Sequence, residues 1–255
     1  MQPHEKVSAA ITAANEAGRT ALVPFITAGY PEPKRFVDTL RAVASEGDVV
    51  ELGVPFSDPM ADGMTVQRSS FAAIENGITL RWIFDQLEAM DEPVETPLVM
   101  MSYLNPLLAY GYQALAKRAR ATGVCAFIVP DLPYEESADI RAALDAEGVG
   151  LIQLVTPATP DERLRMLAGE SRGFVYAVTI TGVTGGGAGL PVDLAQYLDK
   201  VSSLSPLPVC AGFGIRTAAD VVNVGQHSAG AVVGSALVEV LERGEDPAAF
   251  LKGLR

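Results

Sequence analysis

The 255-residue chain is 49% hydrophobic and 20% charged, with 31 acidic against 19 basic residues and a formal net charge of −12. That balance argues against a nucleic-acid surface, which needs clustered Lys and Arg, and no apolar run reaches the roughly 18 residues that span a bilayer. Met1-Gln2-Pro3-His4-Glu5-Lys6 lacks the basic-then-apolar order of a signal peptide, so a soluble, cytoplasmic protein is expected, with Cys125 and Cys210 as reduced residues in apolar runs.

In chain order, Val7, Ala10, Ile11 and Ala14 carry helical spacing, closed by Gly18, and give an N-terminal helix ahead of the first strand. Ala21 to Thr27 is that strand, and a helix from Lys34 to Ser45 leads to a second strand at Asp48 to Gly53. Further apolar runs at Pro97 to Met101, Ala126 to Val129, Gly150 to Val155, Phe174 to Val178, Pro208 to Ala211 and Ala229 to Val233 bring the strands to eight. Helical segments at Gly111 to Thr122, Tyr134 to Glu147, Pro160 to Ala168, Val192 to Ser203, Thr217 to Gly225 and Gly234 to Glu242 separate or follow them. Strands that alternate with helices run parallel, and eight such units close into a (β/α)8 TIM barrel, here a single domain over 1–255. A doubly wound open sheet is the competing architecture. Two insertions interrupt the cadence. After the second strand come a loop to Gly63 and helices at Thr65 to Asn76 and Arg81 to Met90; after the sixth lies the glycine-rich Gly182 to Gly189.

Active sites of such barrels lie at the C-terminal ends of the strands, which removes most of the usual catalytic inventory. His4 precedes the barrel and His227 lies before the eighth strand, at the opposite end. Lys6, Lys34, Lys117, Lys200 and Lys252 fall in helices or near the termini, so none is placed for a Schiff base, and no HExxH or CxxC pattern supports a metal. Acids and hydroxyls remain. Glu51 sits on the second strand where alternation predicts an aliphatic residue, and the loop that breaks at Gly53 and Pro55 delivers Asp62. A carboxylate on a rigid strand and one on a loop make a candidate acid–base pair. Their structural alternatives are a buried carboxylate held by an ion pair or backbone donors for Glu51 and a turn residue before Gly63 for Asp62. Asp131, in Pro130-Asp131-Leu132-Pro133, is equally a helix cap, a loop brace or a catalytic group. Gly212-Phe213-Gly214 after the seventh strand and Gly234-Ser235 after the eighth fit a phosphate, because glycine admits an anion to the backbone and a helix N-terminus presents unpaired amides.

In order and spacing, Phe25-Ile26-Thr27-Ala28-Gly29, Glu51-Leu52-Gly53-Val54-Pro55-Phe56-Ser57-Asp58-Pro59, Ala61-Asp62-Gly63, Pro130-Asp131-Leu132-Pro133, Gly182-Val183-Thr184-Gly185, Gly212-Phe213-Gly214-Ile215 and Gly234-Ser235-Ala236 resemble the alpha subunit of tryptophan synthase. The resemblance implies a lyase that splits indole-3-glycerol phosphate into indole and glyceraldehyde 3-phosphate, with Glu51 as general acid–base and Asp62 on the indole N–H. It further implies a pocket of Phe25, Met101, Tyr103, Ile128, Tyr176 and Phe213, with Thr184 bracing Asp62, and phosphate donors at Gly185, Gly214, Gly234 and Ser235. No cofactor is implied in this chain. Pyridoxal phosphate would sit on a beta subunit that receives indole within an α2β2 heterotetramer, docked at Pro55 to Asp58 and Ser102 to Pro106. One departure is Thr179-Ile180-Thr181, where many members carry Ser-Arg-Ala, and it puts loop closure and communication with the partner in question. Two other outcomes stay open: a free-standing lyase that releases indole, and a weakly active chain that mainly activates a beta subunit.

Overall fold

The structure, a computed structural model, describes residues 1–179, 192–212 and 214–255. Eight strands, β1 (Ala21–Thr27), β2 (Val50–Gly53), β3 (Leu98–Met101), β4 (Val124–Ile128), β5 (Gly150–Val155), β6 (Val175–Val178), β7 (Val209–Gly212) and β8 (Gly230–Val233), form one closed parallel barrel in sequence order. Pairing of Ala21 through Pro24 with Gly230 through Val233 closes it, which eliminates the open-sheet alternative.

Alternation along each strand separates two apolar compartments. Val23, Val49, Val99, Ile128, Ile152, Cys210 and Val232 belong to the cluster that fills the barrel. Their neighbours Leu22, Val50, Met100, Phe127, Leu151, Val209 and Ala231 belong to the larger cluster between barrel and helices. Both faces are covered, which is why the strands read as continuous apolar runs.

The helices described are α1 (Pro3–Glu16), α2 (Phe36–Ala44), α3 (Met64–Glu75), α4 (Leu80–Glu88), α5 (Leu104–Tyr110), α6 (Tyr112–Ala121), α7 (Ala138–Ala146), α8 (Asp161–Glu170), α9 (Val192–Leu204), α10 (Ala218–Gly225), α11 (Ser235–Glu242) and α12 (Pro247–Lys252). Helix α1 plugs the N-terminal end of the barrel. Its Val7, Ile11 and Ala14 are buried in the inner cluster, while Asn15 Nδ2 donates to the Ala229 carbonyl at 2.8 Å just below β8. With that end stoppered, the barrel interior opens toward its C-terminal mouth.

Helices α5 and α12 are absent from the sequence expectation. Seven residues with Pro106 in the first turn give α5 no readable period, and it forms because Asp131 accepts a hydrogen bond from the Leu104 N–H at 2.9 Å. Through that bond Asp131 braces the β3 exit. Helix α12 has only six residues, started by the Asp246 carboxylate accepting from Ala248 N–H at 2.9 Å.

Candidate active site

A cavity of about 270 Å3 opens at the C-terminal mouth. The final inward positions of several strands wall it: Phe25 from β1, Glu51 from β2, Met101 from β3, Leu154 from β5, Tyr176 and Val178 from β6, and Gly212 from β7. No lysine, arginine or histidine is among the described lining residues.

Register sets Glu51 level with Phe25 on one side and Val99 on the other, so its carboxyl lies inside the barrel with 1% of the residue exposed. No hydrogen-bond partner for its Oε2 is found among the described residues. Burial in this apolar ring, reinforced by the negative charge of Asp62, pushes the Glu51 carboxyl up to about 8. Among the described residues Glu51 has no ion pair, and its raised value favours the protonated form at neutral pH.

Asp62 comes from the loop between β2 and α3. Ser70 Oγ, buried on α3, accepts from Phe56 N–H at 2.8 Å and donates to the Phe56 carbonyl at 3.0 Å, pinning the start of that loop. Tyr103 fixes its end: its hydroxyl accepts from Ala61 N–H at 2.8 Å and donates to Asp62 Oδ2 at 3.0 Å, while its ring stacks on Phe56 at 4.9 Å. Burial raises the Asp62 carboxyl above its ordinary value, and the Tyr103 hydrogen bond opposes that rise. Among the described residues Tyr103 braces Asp62, and Thr184, from which bracing was expected, lies outside them. The charge of Asp62 adds to the rise of Glu51, whereas the Tyr103 hydrogen bond favours the charged form of Asp62 and offsets part of its rise, so the surroundings treat the two carboxyls differently.

Opposite Glu51, the Tyr176 hydroxyl is held well above its usual range by burial and then by Glu51. Gly212 makes room for it, since a Cβ there would stand 2.4 Å from the Tyr176 hydroxyl. Gly212→Val is expected to cost ~1–3 kcal/mol through overpacking, measured as a lower midpoint in denaturant unfolding.

At the far side, Gly214 has φ of +36° and lines the cavity beside Gly234 and Ser235, which begin α11. The Ser235 and Ala236 amides at the start of α11 precede the first backbone bond, Leu237 N–H to the Gly234 carbonyl at 2.9 Å, and lie at the positive end of the helix dipole. A Cβ on Gly234 would meet nothing nearer than Phe25, at 3.9 Å. Packing therefore does not demand glycine there; the empty space belongs to the cavity.

Of the residues expected from the sequence, Phe25, Glu51, Asp62, Met101, Tyr176, Gly214, Gly234 and Ser235 share this cavity, and Tyr103 lies on an adjoining recess that Asp62 also lines. Ile128 is not on its wall. It is fully buried in the barrel filling, because the loop after β4 contributes Pro130 instead. Thr184, Gly185 and Phe213 lie outside the described residues, as does Ile180. Leu154, Val178 and Val232 were not anticipated, although strand alternation and the strand-end rule together identify them. Both histidines are away from the mouth: His4 bonds to the Gly148 carbonyl at 2.9 Å and His227 to Asp199 at 2.8 Å. No cluster of three potential metal ligands occurs among the described residues, and no helix described is long and apolar enough to cross a membrane.

Fold and cavity define a (β/α)8 barrel whose mouth, among the described residues, is furnished with two carboxyls and backbone amides rather than with cationic side chains. The family model for the tryptophan synthase alpha chain matches residues 11–252. The tryptophan synthase alpha chain of Nitratidesulfovibrio vulgaris is 45% identical over 243 residues, covering 95% of this chain and 95% of that one. Among solved structures, tryptophan synthase of Mycobacterium tuberculosis superposes with a TM-score of 0.89 at 34% identity over 97% of this chain and 96% of that chain. Tryptophan synthase subunit alpha of Legionella pneumophila gives 0.88 at 30% identity, covering 100% and 97%. The chain belongs to the tryptophan synthase alpha chain family.

Proposed function

We propose that this chain cleaves indole-3-glycerol phosphate to indole and glyceraldehyde 3-phosphate as the alpha subunit of tryptophan synthase. The observation that carries this reading is the buried Glu51 carboxyl, whose Oε2 has no partner among the described residues, in one cavity with the Tyr103-held carboxyl of Asp62. Glu51 gives its proton to indole C3, and the ring becomes a cation whose N–H is held by ionised Asp62. Glu51, now a carboxylate, takes the proton of the glycerol hydroxyl next to the ring. As that oxygen becomes a carbonyl, the carbon–carbon bond breaks and its electron pair returns to the ring, releasing indole. The protonated ring is its own electron sink, so the step uses no lysine, metal or cofactor of this chain.

The phosphate is held by the amides at Gly234 and Ser235 and near Gly214. Gly234→Asp is expected to fold, since the space is open, and to weaken glycerol 3-phosphate binding at least about tenfold by placing a like charge there, measured by calorimetry. Unchanged affinity puts the anion elsewhere.

Partnership with a beta subunit, the one that carries pyridoxal phosphate, is supported by apolar groups left in solvent around the mouth. Met60 is 84% exposed, Met64 79% and Leu108 57%, on the Asp62 loop, α3 and α5 respectively. A cytoplasmic setting agrees with Cys125 and Cys210, both unpaired and buried. The test is indole release by the purified chain alone and mixed with a beta subunit. Strong enhancement on mixing is expected; full activity alone would indicate a free-standing lyase, and no indole under either condition would leave only an activating role.

A further inference from the structure

A chain of side-chain bonds outside the cavity joins its two ends. Helix α3 starts directly after the Asp62 loop, and Gln67 in its first turn reaches back, Nε2 donating to the Asp62 carbonyl at 2.8 Å. The next residue, Arg68, bonds to Glu242 on α11 with both arms, Nε to Oε1 at 2.7 Å and Nη2 to Oε2 at 2.8 Å. Tyr30, on the loop after β1, donates its hydroxyl to the same Oε1 at 2.6 Å. Glu242 closes the helix that Ser235 begins, so the path runs from the Asp62 backbone to the helix whose start lines the cavity. Ser69 and Ser70 fasten α3 to the end of β1 and to the loop after β2, at Thr27 and Phe56; Arg68 adds an attachment to a different element.

A two-pronged guanidinium–carboxylate pair fixes angle as well as distance. Stability is a poor account of it, because the Arg68 side chain is 55% exposed and ion pairs in that setting contribute little. We propose that Arg68, Glu242 and Tyr30 are positioning residues that set the span between the Asp62 carboxyl and the α11 amides, and so select a ligand whose ring N–H and phosphate lie one length apart. The identity of that ligand rests on the lyase reading above. A small error in such a span is costly, since both ends of the molecule must be seated for the reacting bond to align.

The test separates the span from its ends, by calorimetry on the whole chain. Glycerol 3-phosphate probes the phosphate end alone, and indole-3-propanol phosphate, which lacks the hydroxyls needed for cleavage, probes both ends together. In Arg68→Met and in Glu242→Gln, glycerol 3-phosphate is expected to bind within about twofold of wild type and the spanning molecule about tenfold more weakly, with kcat for indole release lowered by a similar factor. The double variant should lose no more than either single one, because both remove the same bond. A matched control lies on the same helix: Arg216, between β7 and α10, pairs with Glu239 at 2.7 and 2.9 Å with side-chain exposures of 55% and 26%, against 55% and 24% for Arg68 and Glu242. Glu239→Gln removes the same charge from α11 without touching α3, and should leave the affinity of the spanning molecule within about twofold. Unchanged affinity in the Arg68 and Glu242 variants, an equal loss for glycerol 3-phosphate, an equal loss in Glu239→Gln, or losses that multiply in the double variant overturns the assignment. Should the wild-type chain bind the spanning molecule and release no indole, the lyase reading fails and the affinities still decide the positioning role. If the wild-type chain does not bind it, both fail.

Discussion

Glu51→Gln is expected to lower the rate of indole release by about 10²-fold or more while substrate still binds, because the amide keeps the shape of the side chain and can neither give nor take the proton. The same substitution carries a stability signature with a defined sign. The folded-state value of about 8 lies above the ordinary 4.5, so between those limits the unfolded chain has released a proton that the folded chain retains. Wild-type stability on account of Glu51 is therefore greatest below about pH 4.5, falls as pH rises toward 8, and is flat above that. Glu51→Gln removes this slope. Its melting temperature relative to wild type should rise from pH 5 to pH 8, whatever fixed cost the buried amide brings. A constant difference across that range would mean that Glu51 is ionised in the folded chain and that the acid role is wrong.

The second large effect is expected at Asp62. Asp62→Asn removes the charge that holds the ring cation and should also cut indole release by about 10²-fold. Because the Asp62 charge helps to raise Glu51, the variant should ionise Glu51 at lower pH, moving the alkaline limb of the residual kcat profile downward. Tyr103→Phe separates charge from position. It leaves the carboxylate but frees Ala61 and Asp62 from the hydroxyl that joins them, and a smaller loss of about tenfold is expected. A near-normal rate in Asp62→Asn would return Asp62 to an ordinary turn residue.

The barrel was legible in the chain because buried parallel strands leave apolar runs and the helices between them carry their own period. Strand ends shifted by a few residues, as at β4, which begins at Val124 rather than Ala126, where the register against β3 slips by one residue at Cys125. Helix α5 was hidden because its start depends on Asp131, a residue 27 positions away in sequence. The site was legible in part for a different reason. Glu51 violates the alternation of its own strand, and a violated rule in a buried element marks chemistry. Nothing local marked Tyr103 as the partner of Asp62, because the bond joins the loop after β2 to the end of β3 and exists only once the barrel has closed. Likewise the raised value of Glu51 comes from its surroundings, which no pattern of neighbouring residues in the chain expresses.

The most direct measurement of the central claim is a crystal structure of Glu51→Gln with indole-3-glycerol phosphate bound and uncleaved. The account predicts the phosphate against the amides of Gly234 and Ser235, the indole N–H within hydrogen-bond reach of Asp62, and the side chain at position 51 beside both C3 and the glycerol hydroxyl attached to it. A ring turned so that its nitrogen faces away from Asp62, or a phosphate seated elsewhere in the mouth, would contradict it.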